Sequence, residues 1–566
     1  MKGKNHKKNS KWFTKYSNPK SLMFHIAGIA AIIWFLVRVV PKPDRIRYPC
    51  QQMSIITAIT YITFWSIMFQ GVILFIKKVK KRTTKFVPAL LVAFIVMFST
   101  TSMVFGQIYS QNNPKNIPWN PVPKEPMGTP TGLNPGRVVW VWNPNATSKF
   151  LKGFWWLKEN NNQEVINQMF IDGICNLAGY SDIYIAWDSL FRYFNEKKGY
   201  GPNSYHPGEK IAIKINLNNC WLDLSYKNVD NDRDANPYVV KALLRQLIDI
   251  VGVPEEDITV YDASRKMFDW FYNRAYYESY PSSSLVPEFP NVHFVDAVGG
   301  ASGREKVIPS DEKIYFADET GLTRTLPTCV TEAKYLINMP ILKRHPIDNG
   351  VTLSGKNFFG TWIEPVAPVH DYHRQAFTMG NLAPQTDLLA HKQLGGKTLL
   401  YIGDGLFATK TDHKKIGKFK MKPFNNDWTN SLFFSQDPVA IDSVMYDFLY
   451  AEGTNPCEGS HNYLHQCAEP PENSYDPEND GIYLSESLGV HEHWDTSFDI
   501  WDPERYSGVN NSGIDFVPIG KEHVKSISRV IESRHVFKND IFLRFSKLIS
   551  LDKLLKLIKN KNLSLK

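Results

Sequence analysis

Residue types able to do chemistry recur at the ends of short apolar runs in this chain. The run KIAIKIN leads from Lys214 into Asn216, Asn218 and Asn219, and DITVYDASR closes on Asp262, Ser264 and Arg265. YLINMPILKRH carries Asn338, Lys343 and His345, TLLYIGDG ends in Asp404 and Gly405, and SQDPVAID holds Asp437 and Asp442. An ammonium flanked by amides suits a carboxylate or phosphate. Lys214, Asn216, Lys356 and Asn357 are therefore the expected substrate-binding groups. Lys343, His345, Asp387, His391 and Asp404 supply acid–base chemistry and are the expected catalytic set.

Histidine spacing points to a metal. His370 and His373 form H-x-x-H, His491 and His493 form H-x-H, and His391 follows Asp387 by four. Such spacings direct two imidazole nitrogens at one ion, so a divalent metal ion is the cofactor to expect, against ordinary hydrogen-bonding histidines. Asp476, Glu478 and Asp480 alternate before Gly481, like the start of a calcium loop, although position 12 is Ser487; a plain acidic turn is the alternative. Cys457 and Cys467 bracket CEGSHNYLHQC, a turn-rich loop that a disulfide could close outside the cytoplasm. The chain has no G-x-x-x-x-G-K-[ST], G-x-G-x-x-G or G-x-S-x-G, so a phosphate loop, a dinucleotide fingerprint and a serine-hydrolase elbow have no support.

The elements that must position these groups alternate. Strands are expected at Arg137 to Trp142, Lys210 to Ile215, Ile258 to Tyr261, Val292 to Val295, Tyr335 to Asn338, Thr398 to Ile402 and Leu432 to Phe434. Helical periodicity fills Gln163 to Ala178, Pro237 to Val251 and Pro438 to Tyr450. The fold class is α/β, a mostly parallel sheet with helices on both faces. Ligands in such sheets bind beyond the C-terminal strand ends, which gathers the polar ends into one expected site.

The segments KINLNN, YLINMPILKRHPIDNGVTLSGKNFFG, IGDGLF and DPVAIDSVMYDFL together resemble the domain of unknown function 362 family, over roughly Gly136 to Asp502. The resemblance implies an α/β domain. Some members of that family carry a fused iron–sulfur ferredoxin module; this chain lacks the cysteine runs that hold such clusters, and its six Cys include no C-x-x-C.

The N-terminal part differs in kind. Apolar stretches at 22–40, 54–76 and 86–106 are each about long enough to cross a bilayer, so three transmembrane helices are expected over 22–106, after a basic tail at 1–21. Seven Lys before Ser21 and six basic residues in 77–85, against three in the first connection, place the N-terminus in the cytoplasm. Everything after the third crossing is then extracytoplasmic, in a multi-pass protein of the cell membrane. A Pro-rich linker at 107–135 leads to the α/β domain at 136–520, and 521–566 reads as a basic amphipathic tail able to lie on a bilayer or pack on the domain. Of the net charge of +9, residues 1–106 contribute +16 and 521–566 contribute +8, which leaves the body at −15 and argues against nucleic acid as a partner. The function these features support is a membrane-anchored extracytoplasmic enzyme with a polar, metal-dependent site for a small anionic substrate. A non-catalytic receptor or scaffold, and a redox component served by a separate iron–sulfur partner, are the rival readings.

Overall fold

Burial alternates along the strands and sets the layers. In β1 (Arg137–Trp142), Val139 and Val141 enter one core while Val138, Trp140 and Trp142 enter the other. Both faces of a strand can be apolar only when both are covered. The computed structural model describes residues 122–317, 322–345, 350–363, 379–410, 413–453, 458–508 and 512–523, and the fold is given for these.

The remaining strands of the main sheet are β2 (Ile211–Lys214), β3 (Ile258–Asp262), β4 (His293–Asp296), β5 (Glu305–Lys306), β6 (Tyr335–Asn338), β7 (Ile341–Arg344), β8 (Val351–Thr352), β9 (Thr398–Thr409), β10 (Ser431–Ser435) and β11 (Asp515–Ile519). Their order is β11-β1-β10-β9-β6-β2-β3-β4-β5, with β7 pairing both β8 and β9. Neighbours on that path are parallel except around β10, which is antiparallel to β9 and β1. The sheet is thus mostly parallel, as expected.

One face is covered by α1 (Gln163–Ala178), α2 (Ile183–Lys197), α3 (Pro237–Arg245) and α4 (Asp269–Tyr276), which share a core with Ile211, Ile213, Ile258 and Val260. The other face carries the one-turn α5 (Ser354–Asn357), then α6 (Pro384–Ala390), α7 (Pro438–Ala451) and α8 (Glu458–Ala468), packed with Trp140, Leu336 and Tyr401. Local chemistry explains several boundaries. Pro237 and Pro438 open helices, where a missing N–H costs nothing, and Asn236 and Asp437 cap the orphan donors behind them. Gly252 stops α3's continuation with φ at 80°.

Two expectations change, and the acidic triplet takes the plainer of the two forms expected of it. Residues 122–135 do not act as a spacer: Met127–Gly128 pairs with Val490–His491, and the Thr131 N–H donates to Asp437 Oδ2 at 3.0 Å. The segment bracketed by the two cysteines is largely helix α8, and Cys467 is a buried free thiol 3.4 Å from Thr386 Oγ1. Its intended partner Cys457 lies outside the described residues. The acidic triplet is a turn, because Asp476 accepts the N–H groups of Asp480 and Gly481 and Asp480 accepts that of Ile482. The three apolar stretches and residues 524–566 lie outside the described residues, among which no helix is long and apolar enough to cross a membrane.

Candidate functional site

Parallel strands that end together present their last residues to one crevice. A cavity of about 70 Å³ opens there, lined by residues of β2, β3, β8 and α5, by the turns after β2, β3 and α5, and by His345 just after β7. It is sized for the end group of a substrate rather than a dinucleotide. Lys214, Asn216, His345, Lys356 and Asn357, all singled out from sequence, lie on its wall. Asp262, Ser264, Arg265 and Thr352 join them.

Lys214 is 1 % exposed, and its ammonium is fully engaged. It donates to Asp262 Oδ2 at 3.1 Å, to the Ile215 carbonyl at 2.5 Å and to Asn357 Oδ1 at 3.4 Å. Three protons meet three acceptors, so this residue braces the wall rather than reaching for a ligand. Burial pushes its pKa down, and the Asp262 carboxylate opposes that shift. Asp262 also accepts from the Leu217 N–H and from both Ser264 donors, which ties the ends of β2 and β3 together. Asn357 in turn donates to Asn338 Oδ1 at 2.7 Å, linking the site to β6. Gly360 closes over the pair: a Cβ there would stand 2.7 Å from Lys214 Nζ.

The groups with unspent capacity are different. Arg265 gives Nε to the Asn218 carbonyl and Nη1 to that of Ser264, and its guanidinium lies 4.4 Å from the Trp221 ring centre. Nη2 is the part of this fork without a protein hydrogen bond among the described residues. The Asn216 side chain lines the cavity and makes none either. Thr352 Oγ1 and Lys343 Nζ are buried with no hydrogen-bond partner. Thr352 is the register partner of Lys343 across β7 and β8, so the two side chains share one face of the ladder. Burial lowers the Lys343 pKa from 10.5 to about 7, with Asp234 acting against the shift. Burial also raises Asp234 from 3.8 to about 7, while the Asn219 N–H it accepts at 2.7 Å pulls the other way.

Three other expected catalytic residues, Asp404, Asp387 and His391, lie away from the cavity, each with protein partners. Asp404 pairs with the fully buried Arg233 at 2.7 Å and accepts the Asn236 N–H, holding the segment that presents Asp234. Asp387 accepts the Ala317 N–H. His391 uses both ring nitrogens: Nδ1 accepts from the Gln393 N–H and Nε2 lies 3.2 Å from the Lys313 carbonyl. Glu478 accepts the Lys392 N–H and so belongs to this same loop packing. None of these lines the cavity. His370 and His373 lie outside the described residues.

His491 and His493 come together, but in a second cluster with His461 and His465 that shares no residue with the cavity wall. Burial pushes His461 and His491 well below the ordinary 6.5 and His465 to about 4, so these three rings are neutral. His461 and His465 escaped the sequence reading because Gly459 and the flanking cysteines suggested a loop; their i,i+4 spacing was the available signal. Asp234 was missed for a similar reason, as one acid of DNDRDAN before a helix start.

The cavity and its bracing fall inside one matched stretch. Residues 211–447 match the family model described as Domain of unknown function (DUF362). The match begins at β2 and ends within α7, narrower than the resemblance from Gly136 to Asp502. A comparison with curated proteins finds no match.

Proposed function

We propose that this protein is a membrane-anchored enzyme whose α/β domain takes the anionic end group of a small substrate into the strand-end cavity, where Lys343 moves a proton. The observation that carries this reading is a buried pair without hydrogen-bond partners: Thr352 Oγ1 on the cavity wall, and Lys343 Nζ of its register partner, which does not itself line the cavity. Native interiors rarely leave such groups unmatched unless they serve a ligand or a reaction. The cavity wall also carries three cations, Lys214, Arg265 and Lys356, against the single carboxylate of Asp262. That excess favours an anion. Lys214 and Asp262 hold the wall, Arg265 and Asn216 grip the anion, and Lys343, with a pKa near neutrality, exchanges the proton. The extracytoplasmic placement rests on the Lys and Arg distribution of residues 1–106.

The test uses the full chain in detergent, with thermal shift and calorimetry against inorganic phosphate, short carboxylates and sugar phosphates. At least one anion should raise the melting temperature, by linkage, and Arg265→Met should weaken its binding about tenfold or more. Turnover of the bound anion, followed by NMR, should vanish in Lys343→Arg while binding stays. No stabilisation by any anion of the panel refutes the site, and binding without turnover supports the receptor reading instead.

A further inference from the structure

Four imidazoles meet at the far end of α7, beyond the matched stretch 211–447. His461 and His465 stand i,i+4 on α8 and so share a helix face, and His491 and His493 stand i,i+2, which puts them on one side of an extended segment. One ring nitrogen from each of His461, His465 and His491 lies within 4.8 Å of the other two. The His493 ring is 4.7 Å from that of His491 and 5.2 Å from that of His461, centre to centre.

Hydrogen bonding from behind fixes the tautomer of two of these rings, and the Tyr446 hydroxyl lies 2.9 Å from Nε2 of a third, His461. The Ser443 hydroxyl donates its proton to the Val439 carbonyl at 2.7 Å, so toward His491 Nδ1, at 2.8 Å, it can only accept. His491 is therefore the Nδ1–H tautomer, and its Nε2 carries a bare lone pair. His493 Nδ1 lies 2.7 Å from Asp447 Oδ1, and a carboxylate likewise requires Nδ1–H. Its Nε2 is buried with no hydrogen-bond partner. Asp447 is itself fixed by the Trp494 N–H and the Tyr506 hydroxyl, both at 2.9 Å. A carboxylate or hydroxyl behind an imidazole, fixing its tautomer and turning the other nitrogen forward, is how proteins prepare histidine for a metal.

We propose that His461, His465 and His491 bind a divalent transition-metal ion of the zinc class, with His493, held by Asp447, as the fourth nitrogen donor. Imidazole-only donors suit zinc, copper or nickel and disfavour calcium or magnesium. Nitrogens around a tetrahedral ion stand about 3.3 Å apart at ordinary zinc–nitrogen lengths, so the rings must draw in by roughly 1 Å. His465 is the least buried of the three. The ion would join α8 to the Val490–His491 strand over α7, and α7 also supports α5, which lines the cavity. Asp442 of α7 accepts the N–H groups of Ser354 and Gly355 at 2.8 and 3.1 Å, at the start of the turn that carries Lys356 and Asn357. The role is to fix that helix, independent of what the cavity binds.

The test is metal content and binding of the full chain in detergent. After chelation and dialysis, Zn(II) titrated by calorimetry should bind at about one equivalent, and Co(II) should show the strong visible bands of a tetrahedral nitrogen site. His465→Ala, the variant least able to disturb the core, should abolish those bands with unchanged circular dichroism. Asp447→Asn keeps the shape and should weaken Zn(II) about 10–100-fold. If His465→Ala fails to fold, the Co(II) spectrum and the Asp447→Asn affinity still decide. No Zn(II) or Co(II) binding to the chelated wild-type chain, or unaltered binding in both variants, overturns the site. Neither result depends on whether the cavity proves to bind an anion.

Discussion

Replacing Gly360 with alanine adds one methyl group where the site has no space for it. The added Cβ would lie 2.7 Å from Lys214 Nζ and 3.0 Å from both oxygens of Asp262, well inside van der Waals contact. Neither neighbour can step aside. Lys214 is 1 % exposed with three acceptors around its ammonium, and Asp262 accepts from Leu217 and Ser264. The Gly360 backbone is held too, since its carbonyl accepts the Ala263 N–H at 2.9 Å. Expelling the ammonium would break a buried ion pair at about 3–5 kcal/mol. A local backbone shift is cheaper, and overpacking of this kind costs about 1–3 kcal/mol. Gly360→Ala should therefore lower the stability by about 1–3 kcal/mol, a drop of a few degrees in Tm. It should weaken anion binding about tenfold or more, because the same shift moves the cavity wall. Chemical denaturation and calorimetry of the full chain read both quantities. A double-mutant cycle locates the clash: in a Lys214→Met background the alanine should cost about 1 kcal/mol less. Wild-type Tm and affinity in Gly360→Ala, or full additivity in the cycle, would refute the packing described.

Lys343 and the membrane topology yield three further tests. The Lys343 pKa in the folded chain, about 7, lies below its ordinary 10.5, so burial of the ammonium opposes folding fully below pH 7 and ceases to matter as the pH climbs through 10.5. At about pH 6 Lys343→Met should melt no lower than wild type and yet be inactive; a large loss of stability would make Lys343 a structural ion. In the wild-type chain kcat/KM should rise with pH through about 7 as the free amine forms; a flat profile there would remove Lys343 as the group that exchanges the proton. Reporter fusions after Lys85 should report cytoplasm and those after Gly136 the exterior; a cytoplasmic signal from the second would overturn the extracytoplasmic placement.

Much of the fold was legible because periodicity and boundary chemistry act over a few residues. The strands at Arg137–Trp142 and Tyr335–Asn338 and the helix Gln163–Ala178 fall where apolar pattern and caps place them. Strand-end logic also brought Lys214, Asn216, His345, Lys356 and Asn357 to one cavity, since parallel strands must finish on the same edge. What pattern could not supply was which polar groups are spent. Lys214 and Lys343 look alike in sequence, yet one faces three acceptors and the other none. Asp404 reads in sequence as an acid–base group, yet Arg233, 171 positions earlier, pairs with it. His461 and His465 are brought to His491 and His493 only by the packing of α8 beside the strand Val490–His491. Local pattern reports which face of an element is apolar. The partner of a buried charge or a lone pair is set by contacts between residues far apart in the chain, and so only the tertiary structure decided which groups remain available for chemistry.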